Sequence, residues 1–273
     1  MVRSFRTARP MSSQSVGRID CRRDGDVATV TICNERKLNA MTVAMWAELK
    51  ACFDELGMSE TLRCIVVRGA GAKAFSAGAD ISEFETTRST REQVVRFHED
   101  CVGACLASML DCEIPIVSAI HGVCMGGGLE IACATDIRLA DERARFGAPV
   151  GKLGFPLAFG ETQALFSVVG QSVAAELLIE GRVFSAAEAL SRGVLTRVSL
   201  VSDFERNVAD CVRNICESGR WAARSHKRQL RRLMRDRSPV TEAERFAVYA
   251  FADTEEYQEG YRGFLARKKN GSV

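Results

Sequence analysis

An apolar, β-branched run, PIVSAI at residues 115–120, leads within a few residues into three successive glycines, Gly126, Gly127 and Gly128, and then into LEIACA. The order predicts a buried strand, a tight turn and a short buried helix. Three glycines in a row are costly inside any regular element, so their local reason is unusual backbone angles or close backbone approach by something else. The first N–H groups of a helix have no internal partner and sit at the positive end of its dipole, so such a turn can hold a negatively charged oxygen. Glu130 follows Gly127 by three residues, and helical side chains lean back toward the N-terminus, so its carboxylate overhangs that position. An ordinary tight turn with a helix-start carboxylate fits the same residues. A third reading is a nucleophile elbow, Gly122-Val-Cys124-Met-Gly126, with Cys124 as the nucleophile. That arrangement needs an acid and then a histidine downstream, and only His226 follows, inside a basic run.

A second small-residue turn lies upstream. Residues 62–68, LRCIVVR, read as a buried strand, and AFSAGADISEF follows at residues 74–84, with Asp80 placed to cap a short helix. Two turns of this kind, each after a buried strand, bring backbone N–H groups to one spot if the strands are neighbours. Two donors converging on a carbonyl oxygen make an oxyanion hole, among the larger contributions to catalysis. GAGA at residues 69–72 lacks the third glycine of a dinucleotide loop.

Elsewhere VATVTIC at 27–33 predicts a strand, and Thr42 caps an amphipathic helix from 43 to 56 that Gly57 ends. Strands alternating with helices indicate an α/β fold with crossover connections. From Gln171 the pattern is helical: one helix closes at Gly181, and another opens with a capping box at Ser185 and Glu188 and ends at Gly193. VLTRV at 194–198 supplies a last strand. Helices follow from Ser202 to about Glu217, from Trp221 to Arg237, and from about Asp253 onward. The division is a tail over 1–18, a core over 19–200 and a helical region over 201–273.

With 273 residues the chain can bury most of its unfolded surface. A net charge of +2 neither demands nor excludes nucleic acid, and the eleven cysteines form no C-x-x-C, so metal clusters and a disulfide framework are both poorly supported. No apolar run approaches membrane-spanning length in this reading, which sets no membrane partner. The cysteine usage fits a reducing compartment, hence a cytoplasmic expectation. Residues 1–18 carry Arg3, Arg6, Arg9 and Arg18 with no acid, so a mitochondrial matrix location is the alternative if they form a transit peptide. HKRQLRRLMRDR at 226–237 sets Leu230, Leu233 and Met234 on one stripe, the pattern of a solvated or interface helix; RNA binding is the sharper alternative, and the absence of interleaved aromatics counts against it.

Taken together, AFSAGADISEF and HGVCMGGGLEIACATDIRLA resemble the paired signature of the crotonase superfamily, the enoyl-CoA hydratase and isomerase family. The likeness runs from KLNAM near Lys37, through RFGAPVGKLG at Arg145, to EGYRGFLARKK at Glu259. It implies a crotonase-like β-β-α spiral followed by a C-terminal helical region that drives a trimer or a dimer of trimers. It implies an acyl-CoA substrate and no bound cofactor, with coenzyme A entering as part of the thioester. By resemblance the amides of Ala77 and Gly127 form the oxyanion hole, and Glu130 is the main glutamate. Lys37, Leu38 and Ala40, with Ala77, Gly78, Ala79 and Asp80, line the coenzyme A path, to which Phe264 and Lys268 contribute. The chain departs from the hydratase pattern at Val150, where the family's second glutamate stands, and Ala158 replaces an aspartate of other relatives. Glu161 is the remaining acid nearby, either a substitute base or a carboxylate that suits a helix start. The expectation is enoyl-CoA hydratase or isomerase chemistry; the alternative is a catalytically reduced acyl-CoA-binding protein or another reaction of the superfamily.

Overall fold

The computed structural model describes residues 17–269, and of these the side chains of Phe264 and of residues 267–269 lie outside the description. Among the described residues, ten strands form two sheets. The larger contains β1 (Arg18–Asp24), β2 (Val27–Cys33), β3 (Cys64–Gly69), β5 (Ile116–Ile120), β7 (Ile137–Asp141) and β10 (Arg197–Ser199), in the order β1-β2-β3-β5-β7-β10. The smaller runs β4 (Ala74–Ser76), β6 (Val123–Met125), β8 (Arg145–Gly147) and β9 (Val183–Ser185). Successive pairs β3/β4, β5/β6 and β7/β8 each place one strand in each sheet, so the chain advances as a mixed α/β spiral.

Burial follows from this geometry. β3, β5 and β7 pair in parallel and are buried on both faces, because helices cover both sides. One face packs against Trp46, Leu49 and Phe53 of the helix Val43–Gly57, and the other against Phe204, Val208 and Cys211 of the helix Phe204–Glu217. Thr42 caps the first of these, accepting a bond from Met45 N–H at 3.2 Å.

β1 is a strand that the sequence pattern missed. Its residues RIDCRRD are mostly exposed, and it forms the outer edge of the sheet, paired antiparallel with β2. Polar edge strands lack the alternation that marks a strand. It begins at Arg18, one residue inside the segment assigned to the tail. The C-terminal helices Phe204–Glu217, Arg220–Arg235 and Glu255–Lys269 stand close to where periodicity puts them, and the pattern misses Glu242–Val248, which opens with a Thr241/Glu244 capping box.

The expectation that no apolar run approaches membrane-spanning length needs correcting. The helix Phe159–Glu180 has 22 residues and contains an 18-residue stretch of mean hydropathy 1.3, enough by length and composition. It is not one straight rod, since Gly170 breaks it at φ 71° and ψ 178°.

The basic run is tied down inside this fold. The Lys227 ammonium is buried, 2.6 Å from Asp136 Oδ2 and 2.5 Å from the Ile114 carbonyl, and burial pulls it down to about 8. Arg231 also meets Asp136, Arg228 meets Glu113, Arg232 meets Glu244 and Arg235 meets Asp111. These cations tie the helix Arg220–Arg235 to Asp136 just before β7, to Asp111 and Glu113 at and beyond the end of the helix Ala104–Asp111, and to the helix Glu242–Val248. Removing one partner of a buried pair leaves an uncompensated charge, at about 3–5 kcal/mol. Asp136→Ala is therefore expected to lower the melting temperature by roughly 10 °C, measured by calorimetry, while Arg228→Ala at the exposed Glu113 pair changes it little.

Candidate active site

β4 and β6 are hydrogen-bonded parallel neighbours, with Ala74 opposite Val123 and Ser76 opposite Cys124. Parallel strands end on the same side, so the turns that follow them, 77–80 and 126–128, must lie together. They touch: a Cβ added to Gly78, whose φ is +94°, would stand 2.9 Å from the Met125 carbonyl oxygen and 3.3 Å from the Gly127 nitrogen. Gly78 and Gly126, at φ +49°, supply backbone angles that side chains resist.

Residues 38–41 settle which amide of the first turn is available. The Ala77 N–H donates to the Leu38 carbonyl at 2.9 Å, the Met41 N–H to the Gly78 carbonyl at 2.7 Å, and the Asp80 N–H to the Met41 carbonyl at 2.8 Å. This bracing skips Ala79. The expectation of Ala77 as an oxyanion donor is therefore corrected: its N–H is already spent, whereas those of Ala79 and Gly127 have no acceptor among the described residues. Both border a cavity of about 290 Å³.

Glu130 and Glu161 enter the same cavity from different helices. Glu130, in the first turn of the helix Gly127–Cys133, is only 4% exposed. Burial pushes its carboxyl well above the ordinary range, Glu161 adds to the rise, and the Arg88 guanidinium opposes it. Glu161, 1% exposed, sits in the first turn of the helix starting at Phe159, where its Oε2 accepts from the Ala158 N–H at 3.0 Å. Its Oε1 lies 2.7 Å from His98 Nδ1. Glu161 therefore caps its helix, as the helix-start reading has it, and also faces the cavity. Val150 also lines the cavity, so the carboxylates there are these two.

His98, Arg88 and Trp46 line the cavity too, and sequence reasoning passed them over. His98 belongs to a π-helical stretch, Arg96–Gly103, a winding that redirects side chains and often accompanies functional sites. No sequence pattern announces that winding. Trp46 looks like plain core, yet a Cβ on Gly127 would stand 2.8 Å from its ring, so only glycine fits there.

Of the remaining candidates, Lys37, Leu38, Ala40 and Asp80 lie around the first turn, outside the cavity lining. Lys37 Nζ binds Asp80 at 2.6 Å and Ser82 at 2.8 Å, and Asp80 caps the turn Ile81–Glu83 through the Ser82 N–H at 3.1 Å. Burial would raise the Asp80 carboxyl, but the Lys37 and Ser82 bonds outweigh it and hold it below its usual value. Leu38 is part exposed in a left-handed conformation, φ 52°, and Ala40 is buried. Phe264 and Lys268 lie on the last helix, with side chains outside the described residues. Cys124 is fully buried, with burial raising its thiol well above the usual value, which leaves the nucleophile-elbow reading without an accessible thiolate.

Residues 22–271 match the family model described as Enoyl-CoA hydratase/isomerase. The chain is 30% identical over 250 residues to the short-chain-enoyl-CoA hydratase of Clostridium acetobutylicum, covering 90% of this chain and 94% of that one. It is 33% identical over 257 residues to a probable enoyl-CoA hydratase of Bacillus subtilis, covering 90% and 95%. Among solved structures it resembles an enoyl-CoA hydratase/carnithine racemase from Magnetospirillum magneticum, with a TM-score of 0.89 at 37% identity over 93% of this chain and 94% of that one. Two sheets wound as a spiral, two glycine turns meeting over a buried glutamate, and likeness along nine-tenths of the sequence lead to one statement: the chain belongs to the enoyl-CoA hydratase/isomerase family.

Proposed function

We propose that this protein shifts the double bond of a 3-enoyl-CoA to the 2-position through an enolate held by the Ala79 and Gly127 amides. The observation that carries the reading is the pair of N–H groups, without acceptors among the described residues, bordering one cavity with the buried Glu130. Donors on a thioester oxygen make the α-carbon acidic, because charge leaving that carbon collects on the oxygen. Ionised Glu130 takes the α-proton, the electrons move into a dienolate, and Glu130 returns the proton at the γ-carbon. No co-reactant enters. A carboxyl raised by burial is the stronger base once ionised, which suits a proton taken and then given back.

Hydration is the second reading, favoured by the His98–Glu161 pair on the same cavity. That pair would orient a water and take one of its protons as its oxygen adds at the β-carbon, while protonated Glu130 gives its proton to the α-carbon; passing the water's proton on to Glu130 restores the site. The two readings part at Glu161. Glu161→Gln is expected to leave isomerisation of a 3-enoyl-CoA within a few-fold of wild type while eliminating any hydration of crotonyl-CoA, both followed by absorbance; equal loss of both would make Glu161 a shared catalytic group. Turnover of either substrate disposes of the alternative that the protein only binds acyl-CoA.

We extend the proposal to a trimer or dimer of trimers, supported by the exposed Phe166, Ile179, Leu230 and Leu233. Light scattering is expected to give three or six chain masses, against one or two if the helical region does not assemble.

Glu130→Gln is expected to reduce turnover by about a hundredfold or more, checked under single-turnover conditions. The same substitution reports on burial. A carboxyl raised in the folded state contributes its stability below the unfolded value and loses it as pH rises through the folded value. Glu130→Gln should therefore raise the melting temperature more at pH 8 than at pH 5, by about 2–4 °C per kcal/mol, and a gain confined to pH 5 would contradict the raised value.

A further inference from the structure

Arg88 is a cation on a cavity whose wall beside it is aromatic. Its guanidinium carbon stacks 3.3 Å above the Phe97 ring and 4.0 Å from the Phe84 ring centroid, and Phe155 closes the same aromatic wall. The side chain borders the cavity, makes no ion pair among the described residues and donates no side-chain hydrogen bond there. Its Nε–H is buried without an acceptor among the described residues. A second donor on the same cavity, the Trp46 Nε1–H, is also buried without one.

Neighbouring acids do not use this cation up. Glu161 has one oxygen on His98 and the other on the Ala158 N–H, and Glu130 is raised by burial toward its neutral form. Stacking between two rings fixes the guanidinium plane, so its donors are set before a ligand arrives. Buried donors without acceptors are costly, and an acyl group that supplies the acceptors gains what the empty site lacks. A planar, fixed fork of N–H groups matches a carboxylate.

We infer that Arg88 makes this a site for acyl-CoA thioesters whose acyl chain ends in a carboxylate, the Arg88 fork taking the carboxylate while Ala79 and Gly127 take the thioester oxygen. The proposal rests on the thioester reading of the site and adds a substrate class to it. Coenzyme A is common to every ligand compared below, so its own phosphates do not enter the comparison.

The test measures binding of succinyl-, glutaryl- and adipyl-CoA beside butyryl-, pentanoyl- and hexanoyl-CoA by calorimetry, with wild type and Arg88→Met. At least one dicarboxylic ligand is expected to bind wild type about tenfold or more tightly than its apolar counterpart. Arg88→Met should erase that preference by weakening the carboxylate ligand alone, and the retained affinity for the apolar ligands shows that the variant is folded. Arg88→Lys, which keeps the charge and loses the fork, should recover only part of the preference. Apolar ligands binding as tightly as dicarboxylic ones in wild type, or an equal loss of both classes in Arg88→Met, would overturn the assignment. Failure of all six ligands to bind wild type removes the thioester reading, and this proposal with it.

Discussion

The parallel pairing of β4 with β6 is what the active site depends on. Three-residue strands hold few hydrogen bonds, yet their register fixes where two turns emerge, and those turns carry both unaccepted amides. Everything catalytic is then a matter of what can stand beside that point. Gly78, Gly126 and Gly127 keep side chains out of it, the helix Gly127–Cys133 points its first turn at it, and Trp46 forms its floor. The segment 38–41 has a double part, bracing the first turn and consuming the Ala77 amide so that Ala79 is left.

The cavity concentrates charge in a low-dielectric space. Two glutamates at most 4% exposed share it, and burial raises the Glu130 carboxyl. The protein treats the two unequally. Glu161 is given partners, His98 and a backbone N–H, whereas Glu130 is left to apolar surroundings and drifts toward its protonated form. Arg88 tempers the Glu130 shift from across the cavity without pairing to either acid.

Much of this was legible in the residues, and the parts that were not have physical reasons. β2, the helix Val43–Gly57 and the capping boxes follow local rules, so periodicity and cap chemistry found them. The meeting of the two turns was legible in their small residues, though not the three-residue strands β4 and β6 that align them, since the predicted strands at 62–68 and 115–120 lie in the larger sheet. Which amide stays available was not, since Ala77 and Ala79 flank the same glycine and only the long-range bond to Leu38 tells them apart. Arg88 and His98 were invisible for the same kind of reason: one reads as a surface arginine and the other lies on a π-helical stretch whose winding has no sequence mark. The family resemblance located the glutamate and its gap at Val150, and the cavity supplied the acid that fills the vicinity.

A structure with butyryl-CoA bound measures the central claim most directly. The account predicts the thioester oxygen within hydrogen-bond distance, about 2.7–3.2 Å, of both the Ala79 and Gly127 nitrogens, with the α-carbon facing Glu130. An oxygen bound at neither amide, or an Ala77 N–H released from Leu38 to reach it, would contradict it.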